Sequence, residues 1–118
     1  RALAVWEETY GPHHPHTAFA LAGLGNLLLD KGELSAARPY LERALAIREN
    51  ALGPQHTMTA FSLNGLGKLR RAEGDPAGAR AYFERAYAIF QTTLGADHPY
   101  TTMTRDLLDQ SSDDPKGL

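Results

Sequence analysis

There is no cysteine among the 118 residues, which excludes a disulfide framework, a thiolate zinc site and a thiol nucleophile. Charge of one sign is lacking too. Lys+Arg 12 against Asp+Glu 14 leaves a formal net charge of −2, so no broad basic field is available to bind nucleic acid or an anionic membrane. No apolar run approaches the ~18 residues of a membrane span. No stretch reads as a signal peptide, and the location expected is cytoplasmic. No window alternates with period two over the length of a strand, which argues against a sheet. What remains is a chain with 42% hydrophobic residues and 8% aromatics. That suits one modest domain burying roughly two thirds of its unfolded surface.

The chain repeats itself. Gly11, Gly53 and Gly95 are 42 residues apart, and aligning 11–52 with 53–94 without a gap gives identity at 21 of 42 positions. The segment around each glycine recurs as Gly11-Pro12-His13-His14-Pro15-His16-Thr17, Gly53-Pro54-Gln55-His56-Thr57-Met58-Thr59 and Gly95-Ala96-Asp97-His98-Pro99-Tyr100-Thr101. Arg1-Ala2-Leu3-Ala4-Val5 matches Arg43-Ala44-Leu45-Ala46-Ile47 and Arg85-Ala86-Tyr87-Ala88-Ile89. Residues 1–10 therefore read as half a repeat, 11–52 and 53–94 as full repeats, and 95–110 as a terminal capping helix. The tail, 111–118, is polar and turn-rich and is expected to be disordered.

Each repeat reads as two helices. Phe19, Leu21, Leu24 and Leu28 carry helical spacing, and Gly32 and Gly74 stand where a glycine would end that helix. Asp75-Pro76 looks like an N-cap followed by proline in the first turn, with Glu33-Leu34 in the same register. The second helix carries Ala37, Tyr40, Leu41, Ala44, Ile47 and Leu52, repeated as Ala79, Tyr82, Phe83, Ala86, Ile89 and Leu94. Proline restarts the next helix at Pro15 and Pro99. The fold class expected is all-α.

Glycines inside the first helix need a reason, because each costs roughly 1 kcal/mol relative to alanine. Gly23 and Gly25 recur as Gly65 and Gly67, which suggests a neighbouring helix pressed against the backbone. The small residues Ala37, Ala44, Ala79 and Ala86 are the expected counterparts. A phosphate-cradling reading of Gly23-Leu24-Gly25 fails, for it lacks the third glycine and the preceding strand.

Leu21, Leu24-Gly25, Ala37, Leu41 and Ala44 carry the spacing of the tetratricopeptide repeat signature, and Leu63, Leu66-Gly67, Ala79, Phe83 and Ala86 carry it again. The chain resembles that family. Its 42-residue period and Leu-Gly-x-x-His-Pro-x-Thr linker are similar to the kinesin-light-chain type, also found in bacterial multidomain signalling proteins. Two features depart from the pattern. Glu49 and Gln91 stand where the closing proline of a shorter repeat falls, and Arg105 and Asp109 replace the leucine and glycine in the last unit. A HEAT-like array is the alternative fold.

The resemblance implies a right-handed superhelix of antiparallel helix pairs, non-catalytic, whose first helices line a concave groove for a protein or peptide. It implies a module at the C-terminal part of a larger protein. Opposite the leucine stripe lie Ala22, Asn26 and Leu29, then Asn64, Lys68 and Arg71, then Asp106 and Gln110. Asparagine offers donor and acceptor to an extended chain, and Lys68 and Arg71 suit a carboxylate. An ordinary solvated helix face is the competing reading. So is a structural module that stacks on other copies through the half repeat at the N-terminal end, where Leu3, Val5 and Trp6 lack a repeat partner.

Other chemistry finds no support. His14, His56 and His98 share one repeat position, but repeat neighbours are separated by roughly one helix packing distance or more, about 10 Å. They cannot share an ion, and linker capping is the expected role; His13 and His16 could bind nickel only adventitiously. Ser35, Ser62, Ser111 and Ser112 lack a nucleophile context, and Glu42 and Glu84 beside Arg43 and Arg85 read as a solvated face. No cofactor and no enzymatic activity are expected. Trp6, Arg48 and Phe90 share one repeat position, which reads as a core boundary.

Overall fold

The computed structural model describes residues 2–11 and 13–112, without the side chains of Ala2, Trp6, Tyr10, Ser111 and Ser112. Six helices follow one another: α1 (Ala2–Tyr10), α2 (Pro15–Asp30), α3 (Leu34–Leu52), α4 (Thr57–Ala72), α5 (Pro76–Leu94) and α6 (Pro99–Ser112). There is no strand among the described residues. Each helix packs on the next, and α2 also touches α4 past the intervening α3. Since α6 runs to Ser112, the first two residues of the expected tail are helical, and 113–118 lie outside the described residues.

Local chemistry sets the helix ends. His14 and His56 cap α2 and α4, each Nδ1 accepting a backbone N–H two residues on at 3.0 Å, and His98 Nδ1 accepts from Tyr100 N at 3.1 Å. The imidazole thus satisfies one of the orphan donors of a helix N-terminus. Thr17 and Thr59 hydroxyls donate back to the Gly11 and Gly53 carbonyls at 2.6 and 2.8 Å, closing the linker. Gly53 has φ 102° and ψ 154°, a region essentially reserved for glycine. That explains why the linker begins with glycine each time.

Packing proceeds in successive clusters along the array. Ala18, Leu21, Ala44 and Ile47 form one, Ala37, Leu41, Leu66 and Leu69 the next, and Ala60, Leu63, Ala86, Ile89 and Phe90 a third. Ala79, Phe83 and Leu107 join α5 to α6. The helix-interior glycines separate into two kinds. A Cβ at Gly25 would lie 2.6 Å from Leu41 Cδ2, and one at Gly67 2.4 Å from Phe83 Cε1. The residue pressed against the backbone is therefore Leu41 or Phe83, not the expected alanines, although Ala37, Ala44, Ala79 and Ala86 are all fully buried. Gly23 meets nothing within 4 Å and is exposed. Packing does not explain it.

On the outer side, repeat-equivalent ion pairs tie successive second helices. Arg43 reaches Glu7 at 2.7 Å and Arg85 reaches Glu49 at 3.0 Å. Exposed pairs of this kind contribute at most about 1 kcal/mol each. They fix register more than they stabilise. Val5 on α1 is 56% exposed and Leu3 is partly covered, packing against the first cluster, while the expectation for the Trp6 side chain falls outside the described residues.

Candidate groove between the first helices

Where α2 meets α4, adjoining cavities open whose walls also take residues of α3. One cavity of about 290 Å³ is lined by Ala22, Asn26, Leu29 and Asp30 of α2, Leu41 and Arg48 of α3, and Asn64 and Lys68 of α4, with Met103 of α6 at its edge. Two others, about 310 and 390 Å³, continue it past Phe61, Met58 and Phe19 toward Pro15 and Leu52. Arg48 borders all three.

Five of the sequence-derived groove residues, Ala22, Asn26, Leu29, Asn64 and Lys68, meet in the first cavity. Arg71 does not. Its Nη1 donates to Gln110 Oε1 at 3.0 Å and its guanidinium lies 5.7 Å from the Phe83 ring centroid, so α6 and α5 hold it. Lys68 and Arg71 are therefore not a side-by-side pair of groove cations. Asp106 is exposed on α6 and does not line the cavities.

Asn64 also differs from the expected solvent-facing residue, for it is only 3% exposed. Its Nδ2 donates to Thr104 Oγ1 at 3.0 Å, while that hydroxyl donates to the Tyr100 carbonyl at 2.9 Å. The hydroxyl hydrogen is thus already used, and Thr104 can only accept; this fixes the amide orientation. Asn64 Oδ1 is left buried without a partner. A lone buried acceptor costs its full desolvation penalty, roughly 1–3 kcal/mol.

Arg48 is the functional candidate that sequence reasoning placed wrongly. It is 3% exposed, and Phe90 at the same repeat position is fully buried, so this is a core position and not a boundary. Arg48 Nη1 donates to Ser62 Oγ at 2.9 Å and to the Met58 carbonyl at 3.4 Å. Burial pulls its pKa below the ordinary guanidinium value, the direction expected of a cation held out of water. The available signal was the alternation itself. One guanidinium between two aromatics is an odd choice for a packing position.

Phe61 closes the far wall with its ring centroid 5.2 Å from Phe90 and 4.8 Å from Tyr100, both at steep interplanar angles. Phe19 is 60% exposed and Met103 36%. Such a wall of aromatic and methionine side chains offers apolar contact at the concave face. Among the described residues no group of three His, Asp or Glu side chains could hold a metal ion, and no helix is long and apolar enough to cross a membrane.

Comparison with known families agrees with this architecture. The sequence model of the tetratricopeptide repeat matches residues 1–50 and 23–92. A search of curated proteins returns no match.

Proposed function

The chain belongs to the tetratricopeptide repeat family, whose arrays are non-catalytic scaffolds for protein–protein interaction, and we propose that its binding face is the groove between α2 and α4. The observation that carries this reading is the run of adjoining cavities along α2 and α4, with Asn26 and Lys68 exposed at one of them. The exposed amide of Asn26 can pair with the backbone of an extended peptide, and the exposed apolar groups of Phe19 and Met103 supply contact area. Lys68, exposed at the rim, favours ligands bearing a carboxylate.

The kinesin-light-chain-like period and linker support a further part of the proposal: the module recruits a partner to a larger multidomain protein. The test is to select peptides from a display library on the purified chain, then titrate one into ¹⁵N-labelled protein. Amide shifts should concentrate at Asn26, Asn64 and Lys68. Shifts confined to the outer faces of α3 and α5 would overturn the groove. A chain that only self-associates with rising concentration, and selects no peptide, would favour stacking between copies through α1.

A further inference from the structure

Within the linkers 11–17, 53–59 and 95–101 every position varies except the glycine, the histidine and the threonine. The glycine carries the positive φ, at 92°, 102° and 95°, and the threonine is buried in each copy. The histidine is the unusual choice, since serine, threonine, aspartate and asparagine are the preferred caps of a helix N-terminus. Its Nδ1 nevertheless accepts the backbone N–H of His16, Met58 or Tyr100.

That bond sets the protonation state of the ring. A backbone N–H can only donate, so Nδ1 must hold its lone pair, and an imidazolium, protonated on both nitrogens, has no acceptor to offer. A proton would also arrive at the positive end of a helix dipole. His56 is exposed and His14 and His98 are half-buried, so water can deliver it. His16 of α2 stands 5.0 Å from His14, and Tyr100 of α6 stands 4.8 Å from His98, between ring centroids. Met58 donates to His56 while its carbonyl receives Arg48 of α3, so a guanidinium shares that turn. In the last turns of the preceding helices, Glu7 and Glu49 are held by Arg43 and Arg85, and Glu8 is exposed. The last turn of α5, Gln91-Thr92-Thr93-Leu94, has no charge, and Asp97 adjoins His98 in the linker. Neither His56 nor His98 makes an ion pair among the described residues. The second helix α5 is built otherwise, for its cap is the Asp75 carboxylate, accepting from Gly78 N at 2.9 Å.

We propose that His14, His56 and His98 make the array acid-sensitive: protonation releases the first turns of α2, α4 and α6 together, while α5 keeps its carboxylate cap. An ordinary imidazole changes charge at about pH 6.5, within the physiological range. The direction follows from proton counting. A capped fold needs three unprotonated nitrogens, whereas the unfolded chain binds protons at all three. Stability therefore falls as the pH drops through this range and returns as it rises. The released turns carry Pro15, His16 and Met58, which wall the cavity of about 390 Å³, so the same step loosens one end of the surface between α2 and α4. The proposal does not depend on what occupies that surface.

The experiment takes the chain from about pH 7.5 to about pH 5.5 and follows it by NMR and by thermal unfolding. In wild type, the Met58 and Tyr100 amides should lose about fivefold in exchange protection, corrected for the intrinsic rate. They should do so with the midpoints at which the rings of His56 and His98 titrate, while Gly78, capped by Asp75, keeps its protection. The thermal midpoint should fall by about 10 °C through the loss of three caps. The triple variant His14→Asn/His56→Asn/His98→Asn keeps an acceptor that does not titrate and should lose under about 4 °C. If circular dichroism shows that variant to be unfolded, His56→Asn and His98→Asn alone should each remove about a third of the wild-type loss. Cap amides whose protection ignores the titration of their rings, or an equal loss in wild type and the Asn variants, would overturn the proposal.

Discussion

Repeats 11–52 and 53–94 share half of their residues and one backbone plan, yet they complete their cores differently. Where the second packs Phe83 over Gly67 and buries Phe90, the first places Leu41 over Gly25 and buries Arg48. The second repeat builds its second helix with more regular chemistry as well. Asp75 caps α5 by accepting from Gly78 N at 2.9 Å, whereas Glu33 makes no side-chain cap for α3. Pro39 lies inside α3 where Ala81 stands in α5. The second repeat thus caps its second helix and fills its core with aromatic rings, while the first leaves a proline inside that helix and a guanidinium in its core. Departures from local consistency of this kind mark sites that structure alone does not require.

The sharpest way to break the comparison is to exchange its defining residues. Phe90→Arg places a cation in a fully buried apolar cluster and should lower stability by about 4 kcal/mol or more in urea unfolding. Arg48→Phe should do the opposite, raising stability by about 1–3 kcal/mol, since replacing a buried charge with a packed apolar group is often favourable. If the two exchanges proved equally costly, Arg48 would be a structural residue fitted to its site.

The glycines give a second test. Gly67→Leu should cost about 3 kcal/mol by overpacking against Phe83. Pro39→Ala should raise the thermal midpoint by restoring a helical hydrogen bond at an exposed position, a gain of about 1–3 kcal/mol. Gly23→Ala has open space around it and should stabilise by about 0.5–1 kcal/mol through helix propensity. A loss at Gly23 equal to that at Gly67 would contradict the division into packed and open glycines.

An effect of similar size concerns the caps. His56→Ala removes the acceptor for Met58 N and should cost about 1 kcal/mol, measured by chemical denaturation. A neutral result would assign that cap to the backbone alone.

The helix pairs were legible in the sequence because the 42-residue self-similarity repeats both the leucine stripe and the punctuating glycines. The site was legible only in part. Residues two apart on a helix are separated by about 200° at 3.6 per turn, so Gly23 and Gly25 could never both face one neighbour. Asn64 points away from its leucine stripe as the helical wheel requires, but α6 folds over it and Thr104 takes its amide. The wheel treats one helix at a time and cannot see that third element. The same cover diverts Arg71 to Gln110 and Phe83. Arg48 escaped for another reason. A long aliphatic stem lets arginine occupy a packing position, and no periodicity distinguishes that from an exposed one.

The central claim is that the face shared by α2 and α4 binds an extended peptide. A crystal structure of the chain with a selected acidic peptide tests it most directly. The account predicts the peptide lying across α2 and α4, against Asn26 and Lys68. A peptide seated on the outer faces of α3 and α5 would contradict it.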